Sequence, residues 1–126
     1  DLHKEYRRQR QMCIRDSRIR LLDYKGETIH RGVIIQYEDV YTKTLWHLLV
    51  CEPENKIETL GCLLINISGY YAGCVEYVLP EESCSLECKY GIRTNWLISN
   101  WDKLMFNPQY KCPIQSVWLI DNGIGL

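Results

Sequence analysis

Cysteine is the residue of this chain whose number and spacing could support metal binding, a disulfide or a reactive thiol. Outside the first 17 residues the sequence carries Cys51, Cys62, Cys74, Cys84, Cys88 and Cys112. The first three lie within or beside apolar, strand-like segments, so we expect them to be reduced and packed in the core. The last three lie in polar, turn-rich stretches. Cys84-x-x-x-Cys88 could share a metal ion or form a disulfide, although the spacing matches a zinc knuckle poorly and no histidine lies nearby in sequence.

Histidine chemistry beyond the first 17 residues must use His30 or His47. His47 lies between Trp46 and Leu48 on a predicted strand, so its side chain occupies the face opposite to both neighbours. We expect a half-exposed or hydrogen-bonded strand histidine. A Cys-His nucleophile pair would need surroundings that stabilise the thiolate, and the spacing nominates no particular cysteine. A small Cys/His hydrolase therefore remains a second alternative, after a metal or redox module built on the cysteines.

Acidic pairs and glycine-rich segments give no support for an enzyme. Glu38-Asp39 and Glu81-Glu82 adjoin turns, and neighbouring residues of an extended chain point apart, so we expect solvated loop charges rather than an acid/base pair. The segment from Gly69 to Gly73 lacks the preceding strand, glycine spacing and following helix that would bind phosphate. We predict a protein without enzymatic activity, cofactor or metal.

The first 17 residues, DLHKEYRRQRQMCIRDS, resemble the translation of a sequencing-library adapter. Back-translation runs without a gap through the flow-cell arm, an index and the transposase mosaic end. We therefore expect residues 1–17 to be non-native and disordered, and residues 18–126 to form a single domain that lacks its natural N-terminus. Residues 1–17 contain five basic residues, Lys4, Arg7, Arg8, Arg10 and Arg15, and three acidic ones, Asp1, Glu5 and Asp16. Without this segment the 15 basic and 16 acidic residues of the chain become 10 and 13, and the net charge changes from −1 to −3.

The remaining chain, about 109 residues long, is sufficient for one domain with a single core. Its longest apolar runs, such as Leu45 to Cys51, are far too short for a bilayer span. Mild acidity argues against nucleic acid as the direct ligand. We expect neither nucleic acid nor a membrane as partner.

The hydrophobic pattern predicts an α+β fold, a mostly antiparallel sheet with one main helix packed on it. Predicted strands span Arg18 to Asp23, Gly32 to Tyr37, Thr44 to Glu52, Ile57 to Ser68, Cys74 to Leu79 and Val117 to Asp121, with the first two opening a β-meander and Gly61 as a bulge. A helix over about residues 94–105 places Leu97, Trp101, Leu104 and Met105 on one stripe, with Thr94 as its N-cap. Trp101 is expected in the core, and Trp96, away from the stripe, partly exposed.

Four stretches carry a resemblance to a known family: GYYAG (69–73), VLPEES (78–83), GIRTNWLISNWDK (91–103) and CPIQSVWLID (112–121). With the opening LLDYKGETIHRGVI they resemble the immunity proteins of bacterial polymorphic toxin systems, most closely the immunity protein 45 family. The resemblance implies a cytoplasmic, non-enzymatic protein that binds and neutralises a cognate secreted toxin domain. No family motif defines the toxin contacts. From the residues themselves we predict that Glu81, Glu82 and Glu87 contact the toxin, with Trp96 as an aromatic anchor.

Overall fold

The computed structural model describes residues 18–52, 60–85, 91–104 and 112–121. The expected disorder of residues 1–17, and the predictions for Glu87 and Cys88, lie outside these ranges. The described elements are β1 (Arg18–Arg20), β2 (Thr28–His30), β3 (Ile34–Glu38), β4 (Leu45–Cys51), β5 (Leu60–Asn66), β6 (Val75–Pro80), β7 (Gly91–Arg93), α1 (Thr94–Leu104) and β8 (Trp118–Ile120).

The main sheet has six strands in the order β1-β8-β3-β4-β5-β6, and β2 pairs with β7 in a separate two-stranded sheet. Each described strand pairing is antiparallel. The predicted α+β class, with a mostly antiparallel sheet, one main helix and a closing strand, is confirmed. The register between β5 and β6 shifts between Leu60 and Leu63, at the position where Gly61 was predicted to form a bulge.

The predicted β-meander at the start of the domain is wrong. β8 lies between β1 and β3, so the two opening strands do not pair with each other. The first strand also ends early, because the chain turns into a 3₁₀ helix over Leu21–Asp23 and the amide of Leu21 donates to the carbonyl of Val117. The sequence pattern favoured pairing between strands that follow each other in the chain. In the structure all three residues of β8 pair with β1 on one side and with Ile34, Ile35 and Gln36 of β3 on the other.

One face of the main sheet carries the core. Its central residues Ile35, Leu48, Leu64 and Leu119 are fully buried, and they belong to one apolar cluster with Leu97 and Trp101 of α1 and with Ile29 and Ile92 of the small sheet. Trp101 is in the core as predicted, and its indole nitrogen donates to the carbonyl of Cys112 at 2.9 Å. Thr94 differs from its predicted role as N-cap: it is the first helical residue, and its hydroxyl donates to the carbonyl of Gly26 at 2.8 Å.

The opposite face of the sheet, here called the open face, is only partly buried. Its central apolar row runs across four neighbouring strands through Ile120, Ile34, Leu49 and Ile65, each half-buried. Beside it, the guanidinium carbons of Arg18 and Arg20 lie 3.9 Å and 5.2 Å from the centre of the Trp118 ring. Among the described helices, none is long and apolar enough to cross a membrane.

Candidate partner-binding surface

The cysteines do not all occupy the predicted positions. Cys62 is buried in the core as expected, and Cys51 is half-buried. Cys74 is exposed, so its predicted core position is wrong. Cys74 closes the turn before β6, and hydrogen bonds of its backbone to Tyr71 and Asn66 leave its side chain outside. Cys112, expected in a polar loop, is buried, and its burial raises the pKa of its thiol.

Histidine 47 is a hydrogen-bonded strand residue, as predicted. Its Nε2 lies 2.9 Å from the amide nitrogen of Gln36, and its Nδ1 lies 3.0 Å from the hydroxyl of Ser68. Because the amide oxygen of Gln36 accepts from Arg18, the amide nitrogen donates and Nε2 of His47 must accept. Desolvation by burial lowers the pKa of His47. The arrangement holds a neutral imidazole in place and gives neither ring nitrogen a cysteine as partner.

The acidic pair Glu38-Asp39 is not a pair of solvated loop charges. Glu38 is exposed, but Asp39 is completely buried. The Asp39 carboxylate accepts from the backbone amide of Tyr41 at 3.0 Å and from the hydroxyl of Thr42 at 2.8 Å. The expectation was wrong for Asp39 because an aspartate before a turn can satisfy amide and hydroxyl donors of the turn itself. Asp39 therefore fixes the shape of the β3–β4 hairpin tip.

The predicted binding residues occupy two separate elements. Glu81 and Glu82 are exposed in a short 3₁₀ helix that directly follows β6. Trp96 lies in the first turn of α1, half-buried and packed against the core. The prediction of partial exposure for Trp96 is thus confirmed. Glu87 lies outside the described residues. Among the described residues, no group of three or more His, Cys, Asp or Glu side chains could hold a metal ion.

Exposed apolar side chains gather at one end of the main sheet. Nine large hydrophobic residues are exposed in the described part of the chain, and seven of them lie on the β3–β4 and β5–β6 loops or the strand residues that adjoin them. We call these seven the aromatic end: Val40, Tyr41, Leu45, Ile67, Tyr70, Tyr71 and Val75. Both loops lie at the same end because β3 and β5 are each paired antiparallel with β4. The other two, Leu22 and Val78, lie outside these loops.

A series of aromatic rings connects this end to the core. Trp101 meets Tyr37 edge to face at 5.4 Å, and Tyr37 stacks on Trp46 at 6.4 Å with an interplanar angle of 11°. Trp46 stacks in turn on Tyr71 at 6.4 Å and 9°, and Tyr71 meets Tyr70 edge to face at 5.1 Å. Such separations lie in the favourable range for aromatic pairs. Tyr70, at the end of the series, is 94% exposed.

The two tyrosines are presented by a glycine-bounded corner. Gly69 and Gly73 have φ values of +74° and +93°, which L side chains adopt only with strain. The amide of Gly73 donates to the carbonyl of Asn66 at 2.6 Å, and the buried Asn66 side chain accepts from the amide of Ser68 at 2.9 Å. The corner predicted from the sequence is therefore present, and hydrogen bonds fix its shape at both sides.

Two glutamates lie beside the aromatic end. Glu38 is exposed at the end of β3, and Glu76 lies at the start of β6. Burial, together with the negative charge of nearby Glu76, raises the pKa of Tyr37 and of Tyr77, so both phenols stay protonated. Lys43 is the one lysine or arginine in the sequence of these two loops, and it lies at the hairpin tip with a φ of +60°. One exposed and one half-buried carboxylate thus lie beside the aromatic end, together with one lysine.

Sequence reasoning identified the corner from Gly69 to Gly73 but did not select its tyrosines as a binding site. The signal was two adjacent aromatic residues inside a glycine-bounded turn, where no core can bury both. The part played by Tyr37 and Trp46 could not be recognised from the sequence. Only their position opposite each other on β3 and β4 shows that they continue the aromatic series.

These features define a small α+β domain whose described exposed apolar residues are concentrated at one end of the main antiparallel sheet. The family model described as immunity protein 45 matches residues 21–119, and the chain belongs to that family. No curated protein and no solved structure matches the chain.

Proposed function

We propose that this protein is the immunity partner of a secreted bacterial toxin, binding the toxin domain and blocking its activity by protein–protein contact. Membership of the immunity protein 45 family supports this role. The structural observation that carries the proposal is the concentration of exposed aromatic and aliphatic side chains at the aromatic end. Contiguous apolar surface of this kind marks sites of protein interaction, and tyrosine is enriched in such interfaces.

The proposed function also has a cellular compartment and a part of the chain that carries it. An immunity protein protects the cell that makes the toxin, so we place this one in the cytoplasm. It acts without cofactor or catalysis. The functional unit is residues 18–126, and residues 1–17 are adapter-derived; the family match, which begins at Leu21, supports this division.

The two alternatives from other classes find less support. A hydrolase would need His47 beside a thiol, whereas Gln36 and Ser68 occupy both ring nitrogens. A cysteine module would use Cys112, but this thiol is buried, and its hydrogen bond at 3.4 Å goes to the carbonyl of Pro113. Burial also raises its pKa, which lowers the fraction of the reactive thiolate at neutral pH.

A co-expression rescue tests the proposal. The full chain is produced in bacteria that carry inducible toxin domains encoded beside other members of the immunity protein 45 family, and survival and co-purification are scored. Residues 18–126 are tested in parallel. Rescue by both, with a stable complex, is the expected result. No rescue across the panel, with zinc found in the purified protein, would contradict the proposal and favour the cysteine module.

A further inference from the structure

We propose that the aromatic end is the toxin-docking surface, with Tyr70 and Tyr71 as its central anchor, and that its occupant is a toxin face with an apolar cleft bordered by lysine and arginine. This inference rests on the proposed immunity function and adds to it the surface and the chemistry of the partner. The aromatic end thereby takes the place of the contact region expected from the sequence, here called the acidic loop, which carries Glu81, Glu82 and Glu87.

The exposure of the two tyrosines is the first argument. Tyr70 is 94% exposed and Tyr71 is 51% exposed, so the isolated domain gains little stability from burying the Tyr70 ring. A tyrosine ring covers a large contact area with few rotatable bonds, and such residues dominate the binding energy of interfaces. Tyr70 therefore contributes apolar surface that only a partner can bury.

The rigidity of the support is the second argument. Stacking on Trp46 holds the Tyr71 ring, and Tyr71 in turn contacts Tyr70 edge to face. The backbone below them is fixed by the hydrogen bonds of Gly73 and Ser68. A surface that is already ordered loses less conformational entropy when it binds. The aromatic end is thus suited to tight binding without rearrangement.

Charge identifies the chemistry of the occupant. Glu38 and Glu76 lie beside the apolar residues, with Lys43 as the cation of the hairpin tip. The domain from residue 18 onward also carries a net charge of −3, by the count given above. Complementary charges steer association and exclude partners of like charge. A toxin face with cationic side chains around an apolar cleft matches both properties.

Geometry separates this surface from the acidic loop. Tyr70 and Tyr71 precede the first residue of β6, whereas Glu81 and Glu82 follow its last residue. Six strand residues at about 3.3 Å each separate the two regions by roughly 20 Å. One compact interface of standard size centred on either region leaves the other at its margin, so substitutions distinguish them.

The first experiment measures the affinity of the full chain for the toxin domain that it rescues, by calorimetry or surface plasmon resonance. We expect Tyr70→Ala to weaken binding at least about tenfold, as for an interface hot spot, and Tyr70→Phe to restore most of the affinity. Val78→Ala removes apolar surface at a residue that is 49% exposed outside the aromatic end, and it should leave affinity unchanged. Thermal unfolding of each variant shows whether the fold is intact.

A second experiment uses one charge reversal at each end of the sheet. Glu38→Lys should slow association by about tenfold or more at low salt, and the difference should shrink as salt is raised. Glu81→Lys makes the same change of charge at the other end of β6 and should have little effect.

The outcomes separate the docking surface from the function itself. Rescue by the wild-type chain, with Tyr70→Ala binding as tightly as wild type, would overturn the docking surface and leave the immunity function standing. A larger effect of Glu81→Lys than of Glu38→Lys would overturn it in favour of the acidic loop. If the wild-type chain rescued against no toxin, the function would fail and the docking surface with it.

Discussion

Replacing Trp46 by leucine tests whether the aromatic series stabilises the domain beyond simple burial. The ring of Trp46 stacks on both Tyr37 and Tyr71, each at 6.4 Å and within about 11° of parallel. Aromatic pairs contribute about 0.5–1.5 kcal/mol each beyond the area they bury, so the two contacts together contribute roughly 1–3 kcal/mol. Leucine also buries less apolar surface, which adds about 1 kcal/mol. We expect Trp46→Leu to lower the free energy of unfolding by about 2–4 kcal/mol.

The matched control is Trp96→Leu, since Trp96 is also half-buried against the core but has no stacked ring among the described residues. Urea unfolding, followed by far-UV circular dichroism, gives both free energies. The expected difference between the two variants is the stacking contribution alone, roughly 1–3 kcal/mol. Equal losses of unfolding free energy in both variants would refute the idea that stacking on Trp46 stabilises the β5–β6 loop. They would also refute the inference that this stacking holds Tyr71 in position.

Three further substitutions test separate features of the fold. Asp39→Ala leaves turn donors of the hairpin tip unsatisfied and should cost about 1–3 kcal/mol in urea unfolding, while Asp39→Asn, which keeps an acceptor, should cost less; equal losses would contradict the role of the acceptor. His47→Gln tests the lowered pKa: below about pH 6.5 the unfolded state takes up a proton that folded His47 does not, so the wild-type chain loses stability relative to the variant between pH 7.5 and 5.5, and parallel pH profiles would count against it. Gly61→Ala places a Cβ 2.6 Å from the carbonyl oxygen of Pro80, which should cost roughly 1–3 kcal/mol as an overpacked site does; an unchanged melting temperature would show that the bulge relaxes freely.

The sequence predicted the elements of the fold better than their order. The strand around Trp46 and the helix around Trp101 follow from local periodicity, and both are present. The place of β8 between β1 and β3 could not be predicted, because strand pairing across about 100 residues leaves no local pattern. The predicted β-meander paired two strands that are neighbours in the sequence, whereas in the structure β8 lies between them and pairs with both.

The proposed docking surface was harder to predict than the fold. The face of His47 follows from simple alternation along β4, and its hydrogen bonds agree with that position. Composition and loop position favoured Glu81 and Glu82, since exposed acidic residues are visible in any sequence. The exposure of Tyr70 and the burial of Asp39 depend on the folded shape of the loop that carries each residue, which neither period nor composition contains.

The pairing of β1 with β8 has a consequence for when the domain can be completed during synthesis. Among the described strands β1 pairs with β8, and β8 also pairs with the edge of β3. A ribosome must therefore deliver Trp118–Ile120 before the first strand of the domain finds its partner. Until then β3 presents an unpaired edge, a template for pairing with other chains. A nascent or prematurely terminated chain lacks a complete sheet, so the domain is complete only once synthesis has passed this strand.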